Sequence, residues 1–312
     1  MYQRVISETN KQNGQSIRAI APDSLLQAFR FDCELRNLTT KTIDCYFERI
    51  EYLVRFLRSC NRSLCDVTKQ DIQQYIFSLK GHVSDETING RIRVYRTFFN
   101  YLTLEGLWTN DSPMDGIKQL KTVSKIKPVI TIDDVQRVLK SLKTPVFETV
   151  RNKVMVLLFW DCMLRQNELL NLKVCDINLD NRLIKVLGKG RKERMVPMGL
   201  QTIKLLHKFL IKWRSKYPGE YLICMRNGEQ VKQRHCHKII QRLGQKQSLK
   251  LYPHLFRHSA ATHYIKLGGN PAVLQRILGH SSLAITQNYL HLSNIDTVSS
   301  YDSFSPSNGL RV

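Results

Sequence analysis

Between Thr39 and Cys60, apolar side chains fall at Ile43, Tyr46, Phe47, Ile50, Leu53, Val54 and Leu57. This three-and-four spacing lays one buried stripe along an α-helix. The stretch from Thr87 to Leu104 repeats it with Ile92, Tyr95, Phe98, Phe99 and Leu102, and carries Arg91, Arg93 and Arg96. Between the two, Thr68-Lys-Gln-Asp71 resembles a capping box, with Asp in place of Glu or Gln, ahead of Ile72, Tyr75 and Ile76. From Asp23 to Gly106 the pattern predicts a compact four-helix domain, preceded by a polar arm over residues 1–22.

The periodicity then stops. Thr109-Asn-Asp-Ser-Pro113 is turn chemistry, and residues 118–128 form a basic run ending in Pro128, which marks a linker between a domain at 23–117 and another at 129–295. Thr131-Ile-Asp-Asp134 opens the second domain with another cap-like start ahead of Val135, Val138, Leu139 and Leu142. Helices are expected at about 147–160 and 166–172. Leu172–Ile177 and Arg182–Val186 have strand character, and Gly188-Lys-Gly-Arg-Lys192 is a tight basic turn leading to Glu193–Pro197. From Leu200 to about Leu292 the chain reads mostly as helix. The Ser-rich tail, 296–312, reads as weakly structured, although Ile295, Val298, Tyr301 and Phe304 would give it an apolar side.

Composition narrows the class. The 312 residues are 42% hydrophobic and 24% charged, which excludes wholesale disorder. The longest apolar run, Val154 to Trp160, is far short of the ~20 residues that cross a bilayer. The N-terminus lacks the apolar centre of an export signal, so the expectation is a cytoplasmic protein whose eight irregularly spaced cysteines are reduced thiols. The formal charge is +22, and it is uneven: residues 1–120 are net +2 and residues 121–312 are net +20. Charge gathered in one half, with no membrane anchor, points to nucleic acid.

Five segments of the basic half hold polar residues in apolar surroundings: Leu164-Arg165-Gln-Asn-Glu168, Gly188-Lys189-Gly190, His254-Leu-Phe-Arg257-His258, Leu278-Gly279-His280 and Asn288-Tyr289. Singly, each has an ordinary explanation. Arg165 pairs with Glu168 at a helix start, Lys189 is a solvated hairpin lysine, the histidines are structural, and Tyr289 is core. His254 and His258 have the i, i+4 spacing of a zinc-protease motif, but Leu255 stands where the glutamate belongs. No metal site is expected, and the glycines at 188 and 190 do not form a phosphate-binding P-loop.

Together the segments resemble the catalytic domain of the tyrosine recombinases, the phage-integrase and Xer family. The family pattern is Arg, a hairpin Lys, HxxR, LGH and Tyr; here it runs through Arg165, Lys189, His254, Arg257, His280 and Tyr289. The resemblance implies a mainly α fold with a small antiparallel β-sheet. A helical, SAM-like core-binding domain and a catalytic domain would close as a C-shaped clamp on DNA. It also implies a site-specific recombinase that cuts and rejoins DNA through a 3′-phosphotyrosyl intermediate and a Holliday junction, with no metal, ATP or other cofactor. In those terms Tyr289 is the nucleophile, Arg165 and Arg257 bind the phosphate, Lys189 is the general acid, and His254 and His280 assist. Glu168 buttresses the arginine, and His258 packs. Tyr252 and Tyr264 are weaker rivals as nucleophile.

The expected partner is a double-stranded core site with inverted repeats, held by a homo-oligomer that is a tetramer in the synaptic complex, with the C-terminal tail as a candidate for exchange between subunits. An accessory or partner recombinase is left open, and the expected location is the nucleoid. Arg91, Arg93, Arg96, Lys125, Lys127, Arg191 and Lys192, with the rest of the hairpin through Arg194, are the expected backbone contacts. The other readings are a type IB topoisomerase-like relaxase and a catalytically idle DNA-binding regulator.

Overall fold

The computed structural model describes residues 21–122, 128–188 and 192–280. The chain divides into two compact units, with the boundary between Lys125 and Ile126. Lys125, Lys127, Lys189, Arg191, Tyr289, the arm over residues 1–20 and the tail lie outside the described residues.

The first unit holds α1 (Pro22–Leu35), α2 (Thr40–Ser59), α3 (Lys69–Leu79) and α4 (Asp85–Leu104). Three of the four helix starts are capped by hydroxyls. Thr39 accepts from the Thr42 N–H, Ser84 from the Thr87 N–H, and Thr68 forms the full capping box with Asp71. Each such cap satisfies an amide that the first turn leaves unpaired, an effect of about 1 kcal/mol.

Helix α4 supplies the centre of this unit, with Tyr95, Phe98, Phe99 and Leu102 fully buried. Phe29 of α1 lies against Tyr46, Phe47, Phe98 and Tyr101. Polar groups drawn inside find neutral partners. Tyr95 donates to the Arg49 carbonyl (2.9 Å), and buried Asn89 exchanges two hydrogen bonds with the backbone of Leu120 (2.9 and 2.7 Å). Arg96 donates to the Ile117 carbonyl. The basic run from Lys118 therefore begins in a segment strapped to α4.

The second unit holds α5 (Ile132–Ser141), α6 (Phe147–Trp160), α7 (Gln166–Asn171), α8 (Leu200–Lys212), α9 (Gln233–Gln245), α10 (Pro253–Lys266) and α11 (Pro271–Leu278). Its sheet is antiparallel in the order β1-β2-β3, with β1 Ile177–Asn178, β2 Leu183–Leu187 and β3 Glu193–Pro197. The Thr131 capping box with Asp134 forms as read. Helix α6 is apolar over most of its circumference, as a central helix must be, and its Phe159 stacks on Phe256 of α10. Asp161, just beyond α6, accepts from the Gly199 N–H (2.7 Å) and the Thr202 hydroxyl (2.6 Å). It thereby caps α8, whose own cap residue has no side chain; a Cβ on Gly199 would stand 2.9 Å from the Asp161 carboxylate.

The architecture is the expected one, mainly α with a small antiparallel sheet, but one local reading needs correction. Leu172–Ile177 is not a strand. The Lys173 N–H donates to the Asp176 carboxylate (2.8 Å) and winds Val174–Asp176 into a 3₁₀ turn, leaving two residues of β1. From Leu200 the described chain is mostly helical, as expected, interrupted between α8 and α9 by a loop with a 3₁₀ turn at Arg214–Lys216. Buried Arg214 donates to the carbonyls of Tyr217, Pro218, Gly219 and Tyr221, giving this loop partners that a longer helix would have supplied. All eight cysteines are free thiols, and no described helix is long and apolar enough to cross a membrane.

Candidate active site

The site grows from the turn that follows α6. Met163 adopts a left-handed backbone (φ 52°), a conformation that costs a non-glycine residue of order 1–3 kcal/mol. The turn aims the Met163 carbonyl at Arg257 of α10, whose Nη1 donates to it at 2.6 Å. Two residues on, Arg165 is the cap residue of α7 and Glu168 occupies the third helical position. The Arg165 N–H donates to Glu168 Oε2 (2.8 Å) and its Nη1 to Oε1 (2.7 Å).

Glu168 is almost wholly buried and collects more than one cation. Arg194 of β3 forks onto it, Nη1 to Oε1 and Nη2 to Oε2, each at 2.9 Å. Arg257 Nη1 stands 3.8 Å from Oε2. Burial pushes the carboxyl upward, but hydrogen bonds and charge from Arg194 and Arg165 outweigh it and hold the group down at about 2. One ionised carboxylate thus serves three guanidiniums, a net charge of two positives.

The same three arginines meet the C-terminal end of α11. Arg194 Nε donates to the Ile277 carbonyl (2.8 Å), Arg257 Nη2 to Leu278 (2.7 Å) and Arg165 Nη2 to Gly279 (3.4 Å). These are carbonyls that a helix end leaves unpaired, at the negative pole of its dipole. Gly279 ends α11 in the left-handed conformation (φ 61°), and a Cβ there would lie 3.0 Å from Arg194 Cδ. Both the turn and the close approach require glycine.

His280 follows directly. Its Nε2 faces Arg257 Nη2 at 3.4 Å; since a guanidinium only donates, that nitrogen must accept, and the ring is neutral. Burial, then the charges of Arg257, Arg165 and Arg194, depress its pKa to about 4. His254, itself exposed, lies in the otherwise buried first turn of α10, three residues before Arg257, so both project on one side of the helix.

The structure therefore gathers Arg165 and Arg257 around Glu168, with His280 against Arg257. The exposures differ: Arg257 keeps 6% of its side chain exposed and Arg165 34%, so Arg165 opens toward solvent from a buried base. Tyr252 and Tyr264 pack at the edge of the core. Among the basic residues expected on DNA, Arg93 and Lys192 are exposed. Arg91 lies over the Tyr52 ring and donates to the Tyr75 hydroxyl, and Arg96 is tied to Ile117.

Arg194 departs from expectation. Taken with the hairpin as a backbone contact, it instead turns inward, and its side chain is 13% exposed. The signal was in the alternation of β3. Arg194 shares a face with Val196, opposite buried Val186 and Ile184, while Glu193 and Met195 face out. Met163 had no such signal, because its conformation answers to Arg257 on a distant helix.

Residues 128–295 match the model of the phage integrase family, and residues 25–107 match that of the phage integrase N-terminal SAM-like domain. The chain belongs to the phage integrase family. Its curated relatives carry the corresponding names. The tyrosine recombinase of Pseudothermotoga lettingae is 30% identical over 280 residues, 86% of this chain and 94% of that one. Tyrosine recombinase XerD of Listeria innocua is 28% identical over 282 residues, 87% and 94% of the respective chains. The fold is similar to that of XerH site-specific recombinase in its post-cleavage complex with a palindromic difH substrate (TM-score 0.69, 21% identity, 93% of this chain and 86% of that one). The protein is thus a tyrosine recombinase of the Xer and integrase type, an enzyme of DNA breakage and rejoining.

Proposed function

We propose that this recombinase cuts and rejoins a short inverted-repeat core site through a 3′-phosphotyrosyl intermediate. The observation that carries the reading is the convergence of Arg165 and Arg257 on one ionised Glu168, with neutral His280 against Arg257, a fixed cationic surface with one side toward solvent. A phosphodiester in a pentavalent transition state gathers charge on its non-bridging oxygens. Guanidiniums stay protonated and fork onto two oxygens, so preorganised arginines stabilise that charge with no reorganisation at the moment of reaction.

In the proposed step, the Tyr289 oxygen forms the bond to phosphorus and the bond to the 5′-oxygen breaks. The phenolic proton leaves with the help of His254, and Lys189 protonates the departing 5′-oxygen. Neutral His280 donates to a non-bridging oxygen. The new phosphotyrosyl link keeps the energy of the old one, so the 5′-hydroxyl of a partner strand reverses the step, leading through a Holliday junction, with neither ATP nor an external nucleophile. The reaction belongs to a tetramer holding two duplexes, with the tail beyond Ile295 passed between subunits. Arg91, Arg93, Arg96, Lys125, Lys127, Arg191 and Lys192 contribute phosphate contacts, so affinity falls by roughly 10³–10⁵ between 50 and 200 mM salt if 6–10 phosphates are engaged.

The test is a nicked suicide duplex carrying the inverted repeats recovered from DNA flanking the gene. Wild type is expected to form a covalent protein–DNA adduct and Tyr289→Phe none. An adduct in Tyr289→Phe moves the nucleophile to another tyrosine. Tight binding with no adduct in wild type identifies a catalytically idle regulator.

A further inference from the structure

We infer that Arg194 is a positioning residue of the recombinase site: it neutralises Glu168 and fastens the Ile277–His280 turn, leaving Arg165 and Arg257 their charge for the scissile phosphate. The inference rests on the proposed phosphate-facing roles of those two arginines and of His280.

The geometry separates Arg194 from the other two. Its Nη1 and Nη2 take both oxygens of Glu168, and its Nε takes the Ile277 carbonyl. All three nitrogens are turned to the protein's own acceptors, and the stem fills the space under Gly279. A guanidinium in this posture does not reach DNA. It changes what the others can do. Without it, the buried carboxylate has, among the described residues, Arg165 at 2.7 Å and Arg257 at 3.8 Å to answer its charge. The site would drop from two net positives to one, and Arg165, the more exposed of the pair, would be drawn onto Glu168 and away from a substrate.

The second half of the role is mechanical. Arg194 Nε, Arg257 Nη2 and Arg165 Nη2 hold three successive carbonyls at the end of α11, and His280 is the next residue. Arg194 is the member of this set that belongs to the sheet. It therefore fixes β3, α7 and the LGH turn to one another. A misplacement of about 1 Å in such a constellation costs on the order of 10²-fold in rate.

The experiment uses the full chain with Arg194→Gln and Arg194→Lys, measuring single-turnover adduct formation at saturating suicide duplex, DNA affinity, and the His280 titration by NMR without DNA. Arg194→Gln should cleave ~10²-fold more slowly with affinity within about threefold of wild type, and Arg194→Lys, which keeps the charge and loses the fork, should fall between. Removing one of three cations around His280 should raise its titration from about 4 toward the ordinary 6.5. Adding Glu168→Gln to Arg194→Gln restores the net charge of two and should recover part of the rate. Wild-type cleavage in Arg194→Gln, or a loss confined to DNA affinity, overturns the inference, as does an unmoved His280 titration. If wild type itself forms no adduct, the phosphotyrosyl reading fails, while the His280 titration still decides the part played by Arg194.

Discussion

Both units of this recombinase draw arginines inward, but the core of the first unit and the active site of the second satisfy them differently. In the first unit the arginines that turn inward find neutral acceptors of their own: Arg49 the Gly90 carbonyl, Arg91 the Tyr75 hydroxyl, Arg96 the Ile117 carbonyl. In the second, Arg165, Arg194 and Arg257 share one carboxylate and one helix end. Separate neutral partners make local fasteners, and losing one leaves the others intact. A shared carboxylate makes a single charged body, in which each member sets the field felt by the rest. The first arrangement holds a fold, and the second leaves a surplus of positive charge at a fixed place.

The sharpest way to break this contrast is Glu168→Gln. It strands buried guanidiniums without their counterion, so the loss of stability should be on the order of 3–5 kcal/mol, read from the urea midpoint at an unchanged slope. A loss below about 1 kcal/mol would show that the helix end alone holds the arginines.

The same pair of proteins gives a pH test. The Glu168 carboxyl sits at about 2 in the folded chain against an ordinary ~4.3, so its contribution is full above that ordinary value and is lost as pH falls through 2. The stability gap between wild type and Glu168→Gln should be constant above about pH 4.5 and narrow steadily toward pH 2. A gap that ignores pH would mean that the charge of Glu168 is not what holds the cluster.

Smaller effects belong to the first unit. Asn89→Ala removes both hydrogen bonds to Leu120 and should cost about 1–3 kcal/mol, with protease cutting near residues 117–125 rising in step. Smallest of all, Arg93→Ala removes an exposed arginine and should change stability by no more than about 0.5 kcal/mol. It should lower the salt slope of DNA binding by ~1 if Arg93 meets a phosphate. An unchanged slope would leave Arg93 an ordinary solvated charge.

What was legible in advance follows the range of the forces involved. Capping boxes at Thr68 and Thr131, the helix stripes and the β2–β3 hairpin are written within a few residues, and they formed as read. The strand expected at Leu172–Ile177 failed because a side chain three places along, Asp176, offered its carboxylate to the Lys173 amide. The mostly helical reading after Leu200 held, but it did not locate the loop between α8 and α9, where Arg214 gathers carbonyls that no periodicity announces.

The sequence by itself determined the inventory: which residues are always cationic, which turns must be glycine, where helices begin, and that the positive charge lies in the second half. Only the tertiary structure decided the pairing. Met163, Arg165, Glu168, Arg194, Arg257 and Ile277–His280 are brought together by hydrogen bonds that join residues up to 114 positions apart. Local propensity reaches a turn or two of chain. A buried carboxylate must be neutralised by whatever cations the fold delivers to it, and that demand selected Arg194, from the inward face of a strand, as its principal partner.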